Sequence, residues 1–237
     1  MRDPYFPFHA LGFRSNPFRA LTDEEWAAIV VLPEAVLQAA ASGGHLQVLG
    51  EMGRGKTSTL LGLAEQFRRD GRAVAYEYLP VGQDTFKLAL AGLEVFLLDE
   101  VQRLRPDERR RLLAAARGGL RLIVGSHEDL APAFTGAGLA LSTVRLETTG
   151  RGHLETILAR RLAYFALPDR QPRVTLDPSA ARYLEATFGS NLRAMERFLY
   201  EVFQGLEAPV ALTAAQLQAL ATASDKPFTV TSPPFQP

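Results

Sequence analysis

The sequence predicts an α/β domain built on a parallel sheet, followed by a small all-α lid domain. Three observations predict it. The apolar strand pattern His45 to Leu49 runs into Gly50-Glu51-Met52-Gly53-Arg54-Gly55-Lys56-Thr57, and a helix pattern, Thr57 to Phe67, leaves it. That segment fits the phosphate-binding loop G-x-x-x-x-G-K-[ST], and strand–loop–helix is the context the motif requires. A second apolar run, Leu93 to Leu98, ends in the adjacent acids Asp99 and Glu100. From Arg151 onward strand patterns nearly vanish and apolar residues recur at helical spacing.

The elements follow in order. Residues 1–20 read as an N-terminal arm rich in aromatic residues and proline, with Tyr5, Phe6 and Phe8 near its start. Residues 21–148 read as the P-loop α/β domain. Its loop, Gly50 to Ser58, is expected to surround a polyphosphate: Gly50, Glu51, Met52, Gly53, Arg54, Gly55, Lys56, Thr57 and Ser58. Backbone N–H groups and the helix N-terminus converge on the anion there, and glycines let the chain approach closely. Lys56 reaches the β- and γ-phosphates and the Thr57 hydroxyl takes a Mg²⁺ position.

Ala73 to Leu79 reads as the next strand, about Asp84 to Gly92 as a short helix, and Leu93 to Leu98 as a strand beside the P-loop strand. Of the two acids that end it, Asp99 is assigned to the metal and Glu100 to the attacking water as general base. Val101 to Ala116 reads as one helix, with Arg103, Arg105, Arg109, Arg110, Arg111 and, just beyond, Arg117 on its outer face. Phosphate contacts need only such a face, although Asp107 and Glu108 interrupt it. Leu120 to His127 is a buried strand ending in small polar residues, where Ser126, with His127 second, would sit between the two motifs. Ser142 to Leu146 closes the series.

Residues 149–222 read as the helical lid, with Asp177, Asn191 and Thr213 as helix caps. Residues 223–237 form a proline-bearing tail that cannot be helical.

Composition sets the bounds. The chain has 237 residues, 47% apolar and 22% charged, and a formal net charge of zero, which argues against a protein that coats nucleic acid generally. No cysteine is present, which removes thiolate metal sites and cysteine nucleophiles. No apolar run reaches membrane-span length and no secretory leader pattern is seen, so a cytoplasmic location without membrane insertion is expected. The Asn-Lys-x-Asp guanine motif is absent, which favours adenine.

Taken in order, four segments resemble the AAA+ ATPases, and in particular their origin-recognition, secretion- and transposition-associated branch. These are Leu11-Gly12-Phe13-Arg14-Ser15-Asn16-Pro17-Phe18, the P-loop with the Leu97-Leu98-Asp99-Glu100 strand end, Val124-Gly125-Ser126-His127, and Gly189-Ser190-Asn191-Leu192-Arg193. The resemblance implies ATP and Mg²⁺ as cofactors, Phe18 near the adenine, Ser126 as first sensor and Arg193 as second sensor at the γ-phosphate. It implies a homo-oligomer and a partner protein. The family's arginine finger has no counterpart between Glu128 and Val144, and Arg145 and Arg151 are the nearest arginines. Two outputs are open. One is an ATPase that assembles on duplex DNA and recruits a partner enzyme. The other is a nucleotide-gated switch on a secretion, motility or defence machine. A small-molecule kinase is a third, but no acceptor-substrate lid lies between the P-loop and Asp99.

Overall fold

The computed structural model describes residues 8–146, 151–170 and 172–223. The aromatic start of the arm (residues 1–7) and the tail (residues 224–237) lie outside the described residues, as does the side chain of Arg151. The chain forms two compact units, one of residues 21–148 and one joining the N-terminal segment to the chain from residue 149 onward. No helix among the described residues is long and apolar enough to cross a membrane.

The first unit carries α1 (Asp23–Ile29), α2 (Glu34–Ala41), β1 (His45–Leu49), α3 (Lys56–Arg69), β2 (Val74–Tyr78), β3 (Val95–Asp99), α4 (Pro106–Arg117), β4 (Arg121–Ser126), α5 (Ala131–Gly136) and β5 (Leu141–Arg145). The five strands make one parallel sheet in the order β2-β3-β4-β1-β5. Parallel strands need crossovers on the sheet faces, so central strands are buried on both sides and read as unbroken apolar runs. That is why Val95-Phe96-Leu97-Leu98 carries no alternation. Phe96 and Leu98 join the core with Leu112, Leu122, Val124 and Phe134, and Val95 and Leu97 join the core with Leu46, Val48, Leu60, Leu63 and Ile123.

Two expectations fail in this unit. The short helix over Asp84 to Gly92 is absent, and residues 79–94 cross from β2 to β3 without a helix. The cause is Glu77 on β2. Its carboxylate accepts from the backbone N–H groups of Lys87 (2.8 Å) and Leu88 (3.0 Å) and from the Gln83 amide (3.2 Å). Donors that a helix would spend on its own carbonyls are spent on one side chain. The helix expected from Val101 also divides. A 3₁₀ turn, Val101–Arg103, is followed by an extended Arg105, and α4 starts at Pro106. A proline forces its predecessor out of the α region and suits the first helical position.

The second unit carries a 3₁₀ turn (His9–Leu11), α6 (Arg151–Phe165), β6 (Val174–Leu176), α7 (Pro178–Phe188), α8 (Leu192–Gly205), β7 (Val210–Leu212) and α9 (Ala214–Ala223). The caps form as read. Asp177 accepts from Ser179 N, Asn191 from Ala194 N, and Thr213 from Gln216 N. The sequence reading expected helices alone here, yet β6 and β7 pair in parallel. Residues 8–20 belong to this unit by direct contact. Phe13 and Phe18 pack edge-on against Phe203, with ring centroids 6.0 and 5.0 Å away. The buried Arg161 donates to the carbonyls of Pro17 and Arg19, both at 2.7 Å, and pairs with Glu196. Asn16 donates to the Tyr200 carbonyl at 3.0 Å.

Candidate functional site

In an open parallel sheet, ligands bind beyond the carboxyl ends of the strands. At those ends the sheet assembles the residues of both motifs. The loop after β1 turns through Gly53 and Gly55 at φ of 81° and 86°, a region open to glycine. Gly50 is glycine for a different reason: a Cβ there would lie 3.3 Å from both the Cβ and the carbonyl oxygen of Leu146. The loop delivers the chain into the first turn of α3, whose N-terminal N–H groups make an anion site.

Lys56 is buried and folds back over the loop. Its ammonium donates to the carbonyls of Gly50 (2.8 Å) and Glu51 (3.0 Å). It also lies 3.3 Å from His127 Nε2 and 4.0 Å from Glu100 Oε1. Ser58 donates to the Gly55 carbonyl at 2.9 Å. Met52 is exposed, and Arg54 pairs at 3.0 Å with the exposed carboxylate of Glu51.

The Thr57 hydroxyl donates to Asp99 Oδ2 at 2.6 Å, and Asp99 Oδ1 accepts from Glu100 N at 2.9 Å. Burial pushes the Asp99 carboxyl above the usual carboxylate range, against the Thr57 hydrogen bond and Lys56, which hold it down. Such a group gains from a nearby cation. A hydroxyl and a carboxylate at hydrogen-bond distance, at the mouth of a phosphate loop, suit Mg²⁺, which keeps waters and takes phosphate oxygens instead of a full protein cage. No group of three or more acidic or His/Cys ligands occurs among the described residues, which matches that mode.

Gly125 on β4 makes room for this acid. A Cβ at Gly125 would stand 2.3 Å from Asp99 Oδ1. The signal was in the sequence, as a glycine inside a strand pattern marks a close approach.

Glu100 has φ of 60°, the one positive φ at a non-glycine among the described residues. The conformation turns its side chain out of the strand direction, where Oε1 lies 3.1 Å from His127 Nε2. His127 therefore touches residues of both motifs. Ser126, named first from sequence for that position, is fully buried, and its hydroxyl accepts from Glu128 N at 2.9 Å. Gln47, a polar residue inside the apolar β1 run, fixes the loop beyond His127. Its amide donates to the Glu128 carbonyl at 2.5 Å and accepts from Leu130 N at 3.2 Å.

The structure thus gathers Lys56, Thr57, Asp99, Glu100 and His127 at adjoining strand ends. Phe18 and Arg193 lie in the other unit. The Phe18 ring is core there, 3% exposed, between Phe203 and Arg161, while Arg193 is exposed near the start of α8. Most of the arginine face is engaged internally. Arg103 pairs with Glu100 at 3.0 Å, Arg105 with Asp107 at 3.0 Å and Arg111 with Glu108 at 2.9 Å. Arg109 donates to the Gln102 carbonyl at 3.2 Å. Arg110 and Arg117 are exposed and make no hydrogen bond or ion pair among the described residues.

No protein-family model matches the chain, and no curated protein does. Solved structures do. The RuvB Holliday junction branch migration motor of Thermotoga maritima is 15% identical, with a TM-score of 0.58 over 87% of this chain and 73% of that one. AMPPCP-bound DnaA from Aquifex aeolicus is 19% identical, with a TM-score of 0.48 over 73% of this chain and 62% of that one. The first likeness agrees with the strand order and the loop geometry in assigning the α/β fold of the AAA+ P-loop proteins.

Proposed function

We propose that the chain binds ATP·Mg²⁺ and hydrolyses it as an AAA+ type ATPase, with nucleotide state driving its assembly with further copies and a partner protein. The observation that carries this reading is the junction of the two motifs: Thr57 bonded to Asp99 at 2.6 Å, with Lys56 and Glu100 beside them. Lys56 leaves its loop carbonyls for the β- and γ-phosphates. Thr57 and Asp99 hold the metal, which when bound neutralises phosphate charge. Glu100 takes the proton of the attacking water, and His127, in contact with both Lys56 and Glu100, orients the pair.

For the output, the first reading is assembly on duplex DNA with recruitment of a partner enzyme, as in the transposition-associated branch. Arg110 and Arg117 are the groups available to phosphates on α4. A specific observation favours the alternative, a nucleotide-gated switch acting on a protein machine without DNA: Arg103, Arg105, Arg109 and Arg111 are already engaged within the unit.

The test is ATP turnover by the purified protein, with and without duplex DNA at low salt, beside Glu100→Gln. Stimulation of about tenfold or more that fades with added salt supports the DNA reading. Tight nucleotide binding with turnover indifferent to DNA supports the switch. Turnover in Glu100→Gln equal to wild type refutes the assignment of Glu100.

A further inference from the structure

Both oxygens of the Glu100 carboxylate are engaged. Oε2 accepts from the Gln102 amide at 2.8 Å and lies 3.0 Å from the Arg103 guanidinium, and Oε1 faces His127 at 3.1 Å. Arg103 is held from its other side as well. It donates to the Leu79 carbonyl and, at 3.3 Å, to the Tyr78 hydroxyl, with the guanidinium 5.7 Å from the Tyr78 ring centroid. Tyr78 ends β2 and Leu79 begins the crossover that lacks a helix. One guanidinium therefore ties the acid at the end of β3 to the root of that crossover.

Two features show that this segment has another arrangement within reach. Glu100 holds a left-handed φ of 60° despite its Cβ, a conformation that persists only where its surroundings enforce it. Beside it, Gln102 Oε1 and Arg109 Nε are buried without a hydrogen-bond partner, an orphan acceptor and an orphan donor on neighbouring side chains. Arg109 already donates to the Gln102 backbone carbonyl at 3.2 Å, so a small turn of Gln102 away from Glu100 brings the two orphans toward each other.

We propose that Arg103 is a positioning residue that latches Glu100 in a resting state, released when the crossover of residues 79–94 shifts the Leu79 carbonyl. The inference deepens the ATPase reading and rests on Glu100 as the base. An oxygen that already accepts from an amide and a guanidinium has no lone pair left for the proton of water. The latched acid is thus a poor base in geometry that is otherwise complete.

The experiment compares steady-state ATP turnover and ATP·Mg²⁺ affinity for wild type, Arg103→Gln, Arg103→Lys, Gln102→Ala and Glu100→Gln. Arg103→Gln is expected to raise kcat by roughly three- to tenfold with KM and nucleotide affinity unchanged. Arg103→Lys, whose single ammonium cannot span Leu79 and Glu100 together, is expected to fall between that variant and wild type. A kcat for Arg103→Gln at or below wild type, in protein that binds nucleotide normally, overturns the latch. If Arg103→Gln fails to bind nucleotide, Gln102→Ala takes its place, because it removes the other donor on Oε2. A smaller rise in kcat is then expected, and no rise overturns the proposal. The base assignment fails separately, through a fully active Glu100→Gln.

Discussion

The two crossovers that bracket β2 are built on opposite plans. The first, from β1 to β2, passes through the glycine loop and the long helix α3, whose apolar side chains Leu60, Leu63, Ala64 and Phe67 seal one face of the sheet. The second, from β2 to β3, has no helix. It is tied down by the Glu77 carboxylate and by Phe86, whose ring sits 5.6 Å from Phe96 and under the Arg111 guanidinium at 4.0 Å. A helix satisfies its own backbone, so its position is set by packing. A chain whose N–H groups are borrowed by one side chain moves when that side chain lets go. The first plan suits a rigid phosphate cradle. The second suits a segment whose displacement reaches the catalytic acid through Arg103.

Lys56→Ala breaks the first crossover's function and should give the largest effect. Removing a charge-assisted contact to phosphate is expected to weaken ATP·Mg²⁺ binding by roughly 100-fold, about 2.7 kcal/mol. Calorimetric titration measures it. Hydrogen exchange at Lys87 and Leu88 should stay as in wild type, because Glu77 is untouched.

Glu77→Ala reverses the pattern. It removes three acceptor contacts from the second crossover, and the local cost is about 2 kcal/mol. The backbone N–H groups of Lys87 and Leu88 should lose exchange protection while ATP·Mg²⁺ affinity holds near wild type. Equal protection in the variant would show that Phe86 and its neighbours hold the crossover without Glu77.

Gly62→Ala sharpens the claim that packing sets the first crossover. On propensity alone, alanine within a helix gains about 1 kcal/mol over glycine. At this position a Cβ would stand 2.4 Å from Val30 Cγ1 and 3.1 Å from Leu32 Cδ2. Overpacking costs about 1–3 kcal/mol, so a net fall in thermal stability of a few degrees is expected. A rise in melting temperature would mean that the connection after α1 yields easily.

What the sequence disclosed divides along the same line. The glycine loop, Lys56, Thr57, Asp99 and Glu100 were legible because their chemistry lies in short fixed spacings bounded by a strand. The missing helix was not, because residues 84–92 carry enough apolar character to look helical, and the competitor, Glu77, sits back on β2. The choice between Ser126 and His127 turned on a local detail, the Ser126 hydroxyl turning back to Glu128 N. Gln47 was passed over inside an apolar strand, although a buried amide there demands partners on another loop. The N-terminal segment gave no local sign of its destination. Asn16 meets Tyr200, and Arg161 meets Pro17, across most of the chain. Strands of three residues, such as β6 and β7, are too short to show a period.

The helical unit offers a control for every one of these comparisons. Asn191 caps α8 by accepting from Ala194 N at 3.1 Å, and the helix buries Met195, Phe198, Leu199, Val202 and Phe203 along one face. Losing an asparagine cap costs about 1 kcal/mol, small beside the burial of that face, so Asn191→Ala should lower the melting temperature by only a few degrees. The five catalytic-site residues gathered at the strand ends belong to the other unit and keep all their contacts, so the shift should leave exchange at Lys87 and Leu88 unchanged. If it instead loosened that crossover, stability would be shared between the units, and the contrast between the crossovers would have to be measured against a helical unit that is part of the same cooperative block.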